Sequence, residues 1–255
     1  MSFPLAVFLG VVQGVTEFLP ISSSGHLVLL QKFFGVGEVP IFFDTLVHLG
    51  TLLAVVLFFG RGLIREIRDS RIIREIILGT LPIVVVGLLV QPFVKEIFSS
   101  LLVVGVGYFI TASLLFWSKS FTAGQKKFTE LTPRQTLLIG GFQAVALFPG
   151  ISRSGATIVE GLAQKLSYKE AFKFSFYLSV PAIIGANILQ LKDLSGVSFL
   201  PQSLLGMSVA FVTGYFALNL LQKVLTAGKA LLFFCILFCG WDNFPTCGEP
   251  LLLIK

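Results

Sequence analysis

Long apolar runs alternate with short charged segments along this chain of 255 residues. A helix of about 20 apolar residues is long enough to cross the hydrocarbon core of a bilayer. Six runs approach that length, although the last is short; they cover about residues 42–59, 76–94, 99–118, 170–191, 202–225 and 229–241. The pattern therefore predicts six transmembrane helices.

Two further apolar regions, about residues 3–34 and 136–166, are interrupted in the middle. Each contains an apolar run too short to cross a bilayer, then a proline and a segment rich in Ser and Gly, then a second short run. Backbone that is not helical at membrane depth must be shielded by protein or must line a polar cavity. We therefore expect two re-entrant helix–loop–helix hairpins, with two kinked full spans as the alternative.

The composition leads to the same class of protein. Hydrophobic residues make up 55% of the chain and charged residues only 13%. One globular core cannot bury so much apolar surface, so lipid is the natural surrounding of this chain. The opening segment "MSFPLAVFLG" lacks the basic region and the cleavage site of a removed signal peptide. We expect an all-α polytopic membrane protein.

The basic residues predict how the chain is oriented. Fourteen Lys and Arg residues fall in segments that can share one side of the membrane, namely 61–74, 119–134, 165–173 and 223–229, and four fall on the other side. Lys and Arg concentrate in cytoplasmic loops. This bias accounts for the net charge of +6 without a nucleic-acid partner. The first hairpin then enters from the outer face and the second from the cytoplasm.

The two interrupted regions are copies of one motif. A shift of 130 residues places "QGVTEFLPISSSGH" from Gln13 over "QAVALFPGISRSGA" from Gln143. Each copy is followed by three predicted spans, an odd number, so the second copy must be inverted relative to the first. We expect a single membrane domain of two inverted repeats, residues 1–118 and 135–245. In such repeats the broken segments commonly meet near the midplane and form the binding site.

The two copies differ at three informative positions. Glu17, Ser23 and His26 of the first copy are replaced by Leu147, Arg153 and Ala156 in the second. One hairpin thus supplies a carboxylate, a hydroxyl and an imidazole, and the other supplies a guanidinium. Because ionisable groups at membrane depth cost several kcal/mol unless they are paired, these residues are functional candidates.

Arg153 suggests an anion site. It follows Ser152 and precedes Ser154 at the expected start of a helix, where free backbone N–H groups and a guanidinium together favour phosphate. The alternative is a structural salt bridge, for instance to Glu17. Gln13 and Glu17 lie one helical turn apart and could hold a divalent cation, or Glu17 could act as a general base.

The serines between the two short runs have several possible roles. Ser22, Ser23 or Ser24 could cap a helix, bind phosphate oxygens or attack phosphorus. His26 follows three residues after Ser23, a spacing that permits a nucleophile and its base. Asp44 and His48 form a second pair, either as a boundary hydrogen bond or in a secondary role near the site.

The segments "QGVTEFLPISSSGHL" and "PGISRSGATI" resemble the two signature motifs of the bacterial undecaprenyl-diphosphate phosphatases, also called bacitracin-resistance proteins. The resemblance runs from the N-terminus to about residue 225. It implies an enzyme of the bacterial plasma (inner) membrane that hydrolyses undecaprenyl diphosphate to undecaprenyl phosphate and inorganic phosphate. That reaction recycles the lipid carrier for cell-wall synthesis, with a divalent cation, Mg²⁺ or Ca²⁺, as cofactor.

The resemblance also assigns roles to residues. Glu17, Ser23, His26 and Arg153 are expected to be catalytic, and a surrounding set binds the substrate: Gln13, Ser22, Ser24, Ser152, Ser154 and Thr157. Some relatives have Glu at the position of Gln13, so this chain has one carboxylate in a motif that elsewhere carries two. The C-terminal segment "GWDNFPTCGEPLLLIK" also departs from the longer apolar span of the family.

The expected mechanism is phosphoryl transfer in a midplane cavity that opens to the outer face, with the prenyl tail left in membrane lipid. Either Ser23 or water is the nucleophile. The alternative is a transporter or flippase for lipid phosphate or another anion, for which a nucleophile and base would be superfluous.

Cys235, Cys239 and Cys247 match no familiar metal site. The expected partners are undecaprenyl diphosphate and membrane lipid, with a homodimer as an option.

Overall fold

The computed structural model describes residues 1–35, 41–191 and 200–226. This part of the chain contains ten α-helices and three single 3₁₀ turns, and no strand beyond an isolated bridge between Lys126 and Leu166. The α-helices are α1 (Phe3–Phe18), α2 (Ser23–Phe33), α3 (Ile41–Glu66), α4 (Ser70–Val90), α5 (Val94–Ser99), α6 (Leu101–Trp117), α7 (Pro133–Val145), α8 (Arg153–Ala163), α9 (Tyr168–Leu191) and α10 (Leu200–Thr226).

Five helical segments within the described ranges are long and apolar enough to cross a membrane: Phe42–Gly60, Ser70–Ser99, Leu101–Ser120, Tyr168–Gln190 and Leu200–Leu225. They coincide with the first five predicted spans and confirm the all-α membrane class. The sixth predicted span, about 229–241, lies outside the described residues, and so do the three cysteines.

The outside of this helical bundle is apolar where a soluble protein would be polar. Leu102, Phe109 and Phe116 of α6 are each at least 70% exposed. Such side chains are stable on the surface only when the surrounding medium is itself apolar. The exposed apolar residues therefore mark the surface that faces the lipid tails.

The two interrupted regions fold as pairs of short helices. α1 and α2 have 16 and 11 residues, and α7 and α8 have 13 and 11. Each helix is shorter than the roughly 20 residues that cross a bilayer. Ser22 caps α2 by accepting a hydrogen bond from the Gly25 amide, and Ser152 caps α8 by accepting one from the Gly155 amide.

The first helix of each pair packs against a long helix through glycine contacts. A Cβ added at Gly10 of α1 would lie 2.7 Å from the carbonyl oxygen of Gly206 in α10. A Cβ added at Gly140 of α7 would lie 2.4 Å from the carbonyl oxygen of Gly79 in α4. These crossings bring backbone against backbone, which only residues without a side chain permit.

The main hydrophobic core lies where the helix pairs meet α3, α9 and α10. Phe18 at the end of α1 packs edge-on against Phe176 of α9, with ring centroids 5.5 Å apart. Ile158 of α8 and Leu218 of α10 are fully buried in the same core. The ends of the short helices are thus fixed by side chains from elements far away in sequence.

Candidate active site

The two segments that connect the short helices, residues 19–22 and 146–152, are in direct contact; we call them the first and second tips. The Gly150 amide donates to Ser22 Oγ at 3.1 Å, and Ser154 Oγ donates to the Leu19 carbonyl at 3.3 Å. A Cβ added at Gly155 would lie 3.2 Å from Cβ of Pro20. Residues about 130 positions apart are therefore brought to one place.

Both tips contain backbone that ordinary residues adopt rarely. Ser22 has φ of 63°, and Gly150 has φ of 92°. Glycine adopts positive φ without cost, whereas a residue with a Cβ is strained by about 1–3 kcal/mol. The cost at Ser22 is offset by the contacts that its hydroxyl makes with Gly25 and Gly150. Such strained residues concentrate at functional sites.

Glu17 is the centre of the charged cluster between the tips. Its Oε1 accepts a hydrogen bond from Arg153 Nη2, in an ion pair whose side chains are 15% exposed for Arg153 and 7% for Glu17. Its Oε2 accepts from Ser23 Oγ at 2.5 Å and from Gln13 Nε2 at 3.2 Å. Three other residues singled out in the sequence thus donate hydrogen bonds to the one carboxylate of Glu17.

This arrangement has two chemical consequences. The salt bridge from Arg153 to Glu17, which was the alternative role for Arg153, is present. The positive charge of the guanidinium therefore cancels the negative charge of the carboxylate. The Ser23 hydroxyl lies on the carboxylate of Glu17, which makes Glu17 the group in place to accept the Ser23 proton. Arg153 retains further N–H groups, because a guanidinium carries five donors.

His26 belongs to the same region but has other partners. Its Nδ1 lies 2.8 Å from the Ser22 carbonyl oxygen and 2.9 Å from the hydroxyl of Tyr108. Within the described residues no hydrogen bond joins His26 to Ser23. The three-residue spacing between Ser23 and His26 therefore brings them to one helix turn without linking them directly.

The remaining predicted substrate-binding hydroxyls mostly stabilise the tips. Ser22 and Ser24 are 3.3 Å apart at their hydroxyl oxygens, and Ser152 and Ser154 are 3.2 Å apart. Thr157 donates to the Arg153 carbonyl at 2.8 Å and lies 2.6 Å from Ser175 Oγ of α9. Their hydrogen bonds fix the backbone around Ser23 and Arg153.

Two residues of α6, Tyr108 and Thr111, take part in the site although the sequence motifs did not point to them. Thr111 Oγ1 donates to the Gly150 carbonyl at 2.8 Å and accepts from the Ser152 amide at 3.0 Å. Tyr108 contacts His26. The signal that could have found them is a polar pair one turn apart in a mostly apolar span, next to Gly107.

Asp44 and His48 of α3 form the second polar pair. His48 Nδ1 lies 2.8 Å from the Asp44 carbonyl and 3.7 Å from Asp44 Oδ1. The pair is therefore joined by a hydrogen bond near the start of α3, and its secondary role near the site stays a prediction.

The donor atoms near Glu17 suit a hard divalent cation. Gln13 Oε1 is buried and has no hydrogen-bond partner, although the Gln13 amide points its nitrogen at Glu17. A buried oxygen without a partner is costly, and a cation beside Glu17 would satisfy it. No cluster of three or more His, Cys, Asp or Glu residues exists in the described ranges, so phosphate or water oxygens would have to complete the coordination.

Comparison with known proteins gives concordant matches over most of the chain. The family model described as "Bacitracin resistance protein BacA" matches residues 6–240. The chain is similar to a protein named undecaprenyl-diphosphatase from Desulforapulum autotrophicum, with 42% identity over 89% of this chain and 91% of that protein. Proteins of the same name from Methanosphaera stadtmanae and Carboxydothermus hydrogenoformans are 37% and 40% identical, over 86% and 88% of this chain and 88% and 89% of their own lengths.

Proposed function

The chain belongs to the bacitracin resistance protein BacA family, and from that premise we propose that it hydrolyses undecaprenyl diphosphate to undecaprenyl phosphate and inorganic phosphate. The product is the lipid carrier on which cell-wall precursors are built, so the reaction recycles that carrier. The observation that carries the proposal is the cluster of Glu17, Ser23 and Arg153 between the two tips. It combines an anion-binding cation, a hydroxyl and a base.

The proposed architecture is a six-span bundle with two re-entrant hairpins, α1–α2 and α7–α8, in inverted repeats of residues 1–118 and 135–245. Three observations support it. α2 and α8 begin 130 residues apart, at Ser23 and Arg153, and both are capped by a serine. α1 crosses α10 at a glycine contact as α7 crosses α4. All four short helices are too short to span.

In the proposed reaction Arg153 binds the diphosphate oxygens and exchanges part of its contact with Glu17 for them. Glu17 Oε2 takes the proton of Ser23 Oγ as that oxygen bonds to the terminal phosphorus. The bridging P–O bond breaks, and undecaprenyl phosphate leaves with the bond electrons. Water then attacks the phosphoserine and the P–Oγ bond breaks with its electrons on Oγ. The Glu17 carboxyl returns its proton to Ser23 Oγ, and inorganic phosphate leaves with the water oxygen and both its protons. The 2.5 Å contact between Ser23 and Glu17 supports Ser23 over a free water as the nucleophile.

We propose that a divalent cation, Mg²⁺ or Ca²⁺, assists this site and is held by Glu17 and Gln13. The buried, unpartnered Gln13 Oε1 supports the assignment. When bound, such a cation neutralises charge on the phosphate oxygens. The residues Ser22, Ser24, Ser152, Ser154 and Thr157 hold the tips in the shape that binds the headgroup.

The proposed location is the bacterial inner membrane, with the site open to the outer face and the prenyl tail in lipid. The fourteen basic residues assigned to one side support the orientation. The exposed apolar surface of the bundle supports contact between the prenyl tail and the surrounding lipid.

Phosphate release from undecaprenyl diphosphate by purified protein tests the proposal. We expect Arg153→Ala and Glu17→Gln each to lower turnover by about 100-fold or more, because each removes a group that acts on the charged transition state. Arg71→Ala, at an exposed arginine, and Glu160→Gln, at a buried glutamate of α8, are the matched controls and should stay within about twofold.

Three further measurements complete that test. A divalent-cation chelator should stop turnover and added Mg²⁺ or Ca²⁺ should restore it. Acid quench during turnover should trap phosphate on Ser23. Liposomes with substrate in one leaflet should release phosphate whether or not the lipid changes leaflet. Full turnover in Arg153→Ala or Glu17→Gln would remove that residue from the proposed mechanism, and lipid translocation without phosphate release would refute the phosphatase assignment.

A further inference from the structure

Tyr108 lies against the imidazole of His26, although it belongs to neither tip. Its hydroxyl oxygen is 2.9 Å from His26 Nδ1. The two rings also meet edge to face, with centroids 5.6 Å apart and an interplanar angle of 87°. Tyr108 therefore contacts the imidazole both through its ring and through its hydroxyl.

The contacts of His26 Nδ1 determine which nitrogen carries the proton. The Ser22 carbonyl oxygen, 2.8 Å from Nδ1, can only accept a hydrogen bond. Nδ1 therefore carries the hydrogen, and the Tyr108 oxygen accepts a share of it as a second acceptor. The neutral imidazole then has its lone pair on Nε2, the atom left available for proton transfer.

The position of Tyr108 is fixed by the packing of α6 on both tips. A Cβ added at Gly107 would lie 2.3 Å from the Pro149 carbonyl oxygen, so this part of α6 touches the second tip directly. Thr111, one turn further, exchanges hydrogen bonds with Gly150 and Ser152. A Cβ added at Gly25 would lie 2.8 Å from the Tyr108 hydroxyl, so the glycine in the first hairpin leaves room for that hydroxyl.

We propose that Tyr108 is a positioning residue: with the Ser22 carbonyl, its hydroxyl holds His26 in the Nδ1–H tautomer and keeps Nε2 free to exchange protons with the reacting phosphate. The role in turnover rests on the proposed phosphatase function. The assignment of the tautomer does not rest on that function, because it follows from the hydrogen-bond geometry around His26 Nδ1.

Nitrogen NMR on the full-length protein in detergent tests the tautomer directly. The chain contains only two histidines, so labelling with ¹⁵N-histidine gives two imidazoles, and His48→Gln identifies the signals of His26. We expect a protonated Nδ1 and an unprotonated Nε2 for His26. Tyr108→Phe, which keeps the ring and removes only the hydroxyl, should raise the fraction of His26 with the proton on Nε2.

Kinetics test whether that tautomer matters. We expect Tyr108→Phe to lower kcat about 3- to 10-fold, the effect of one hydrogen bond, while KM stays within about twofold. In a His26→Ala background the same change should have no further effect, because Tyr108 acts through His26. Tyr177→Phe is the matched control, since the Tyr177 hydroxyl donates to Glu66 at 2.9 Å and not to the site.

Each readout can overturn the proposal separately. Unchanged His26 signals in Tyr108→Phe would show that the hydroxyl does not hold the tautomer, whatever happens to kcat. Changed signals with normal kcat would show that the tautomer is irrelevant to turnover. If the unmodified protein releases no phosphate from undecaprenyl diphosphate, the proposed function fails, and the NMR result still decides the role of Tyr108 in the geometry.

Discussion

Glu17 and Arg153 neutralise each other's charge in a direct ion pair. Both side chains are largely buried, and each is a full charge in surroundings where water cannot solvate it well. The pair therefore balances charge in a site that, on the proposed function, must also admit a charged headgroup. A phosphate group that enters has to compete with the carboxylate for the guanidinium.

This pairing predicts a specific pattern of stability. Arg153→Gln and Glu17→Gln should each lower the free energy of unfolding by about 3–5 kcal/mol, because each leaves one buried charge without a partner. The double variant should lose less than the sum of the two. Thermal unfolding in detergent, followed for all four proteins, measures this coupling. Additive losses would contradict a direct interaction between the two side chains.

At this scale the sequence predicted which side chains lie close together better than it predicted their hydrogen bonds. The replacement of Ser23 by Arg153 between the two motif copies drew attention to both positions, and Glu17 and Gln13 also share the cluster. The partner of His26 could not be predicted, because Tyr108 comes from a helix 82 residues away and belongs to no motif. A hydrogen bond of that range depends on the packing of α6.

At the scale of elements, glycines set how closely the helices approach. The α4–α7 crossing places Gly140 against the backbone of Gly79, while the next residue, Gly141, has nothing within 4 Å of an added Cβ. The two neighbouring glycines of α7 therefore differ in what they tolerate. Gly140 has no room for a side chain, whereas Gly141 has room for one and only lowers the stability of its helix.

Alanine substitutions should separate these two glycines. Gly140→Ala should destabilise the protein by about 1–3 kcal/mol, because the new methyl group overlaps the Gly79 carbonyl. Gly141→Ala should be neutral or stabilise by up to about 1 kcal/mol through better helix propensity. Thermal unfolding of both variants in the same detergent provides the measurement. Equal melting temperatures would mean that α4 and α7 do not cross at Gly140.

At the scale of the whole molecule, orientation can be tested by labelling single cysteines. Cys235, Cys239 and Cys247 are first changed to Ser. Exposed positions on the two predicted sides then receive one cysteine each, as Asp69→Cys, Thr122→Cys and Glu96→Cys.

In intact protoplasts an impermeant maleimide should label only Glu96→Cys, which follows α4 on the side that the proposed orientation places outside. Asp69→Cys and Thr122→Cys should react only after the membrane is permeabilised, because they lie in the strongly basic segments. The opposite labelling pattern would invert the proposed orientation and turn the site toward the cytoplasm.

The sequence predicted the large features of the fold because lipid imposes simple rules on helix length and hydropathy. Five of the six predicted spans coincide with helices, and the interrupted regions form pairs of short helices. The contact between the tips was expected only by analogy with inverted repeats. The details of that contact, such as the hydrogen bond from the Gly150 amide to Ser22 Oγ, depend on a positive φ at both residues.

The ion pair between Glu17 and Arg153 also constrains how the protein is made. Glu17 emerges from the ribosome 136 residues before its cation. At about 5–20 residues per second, roughly 7–27 s pass before Arg153 exists at all. During that interval Glu17 can accept hydrogen bonds from Ser23 and Gln13 of its own hairpin, but its carboxylate has no cationic partner. We therefore expect the charged site to be completed late in biogenesis, after the second half of the chain has been made.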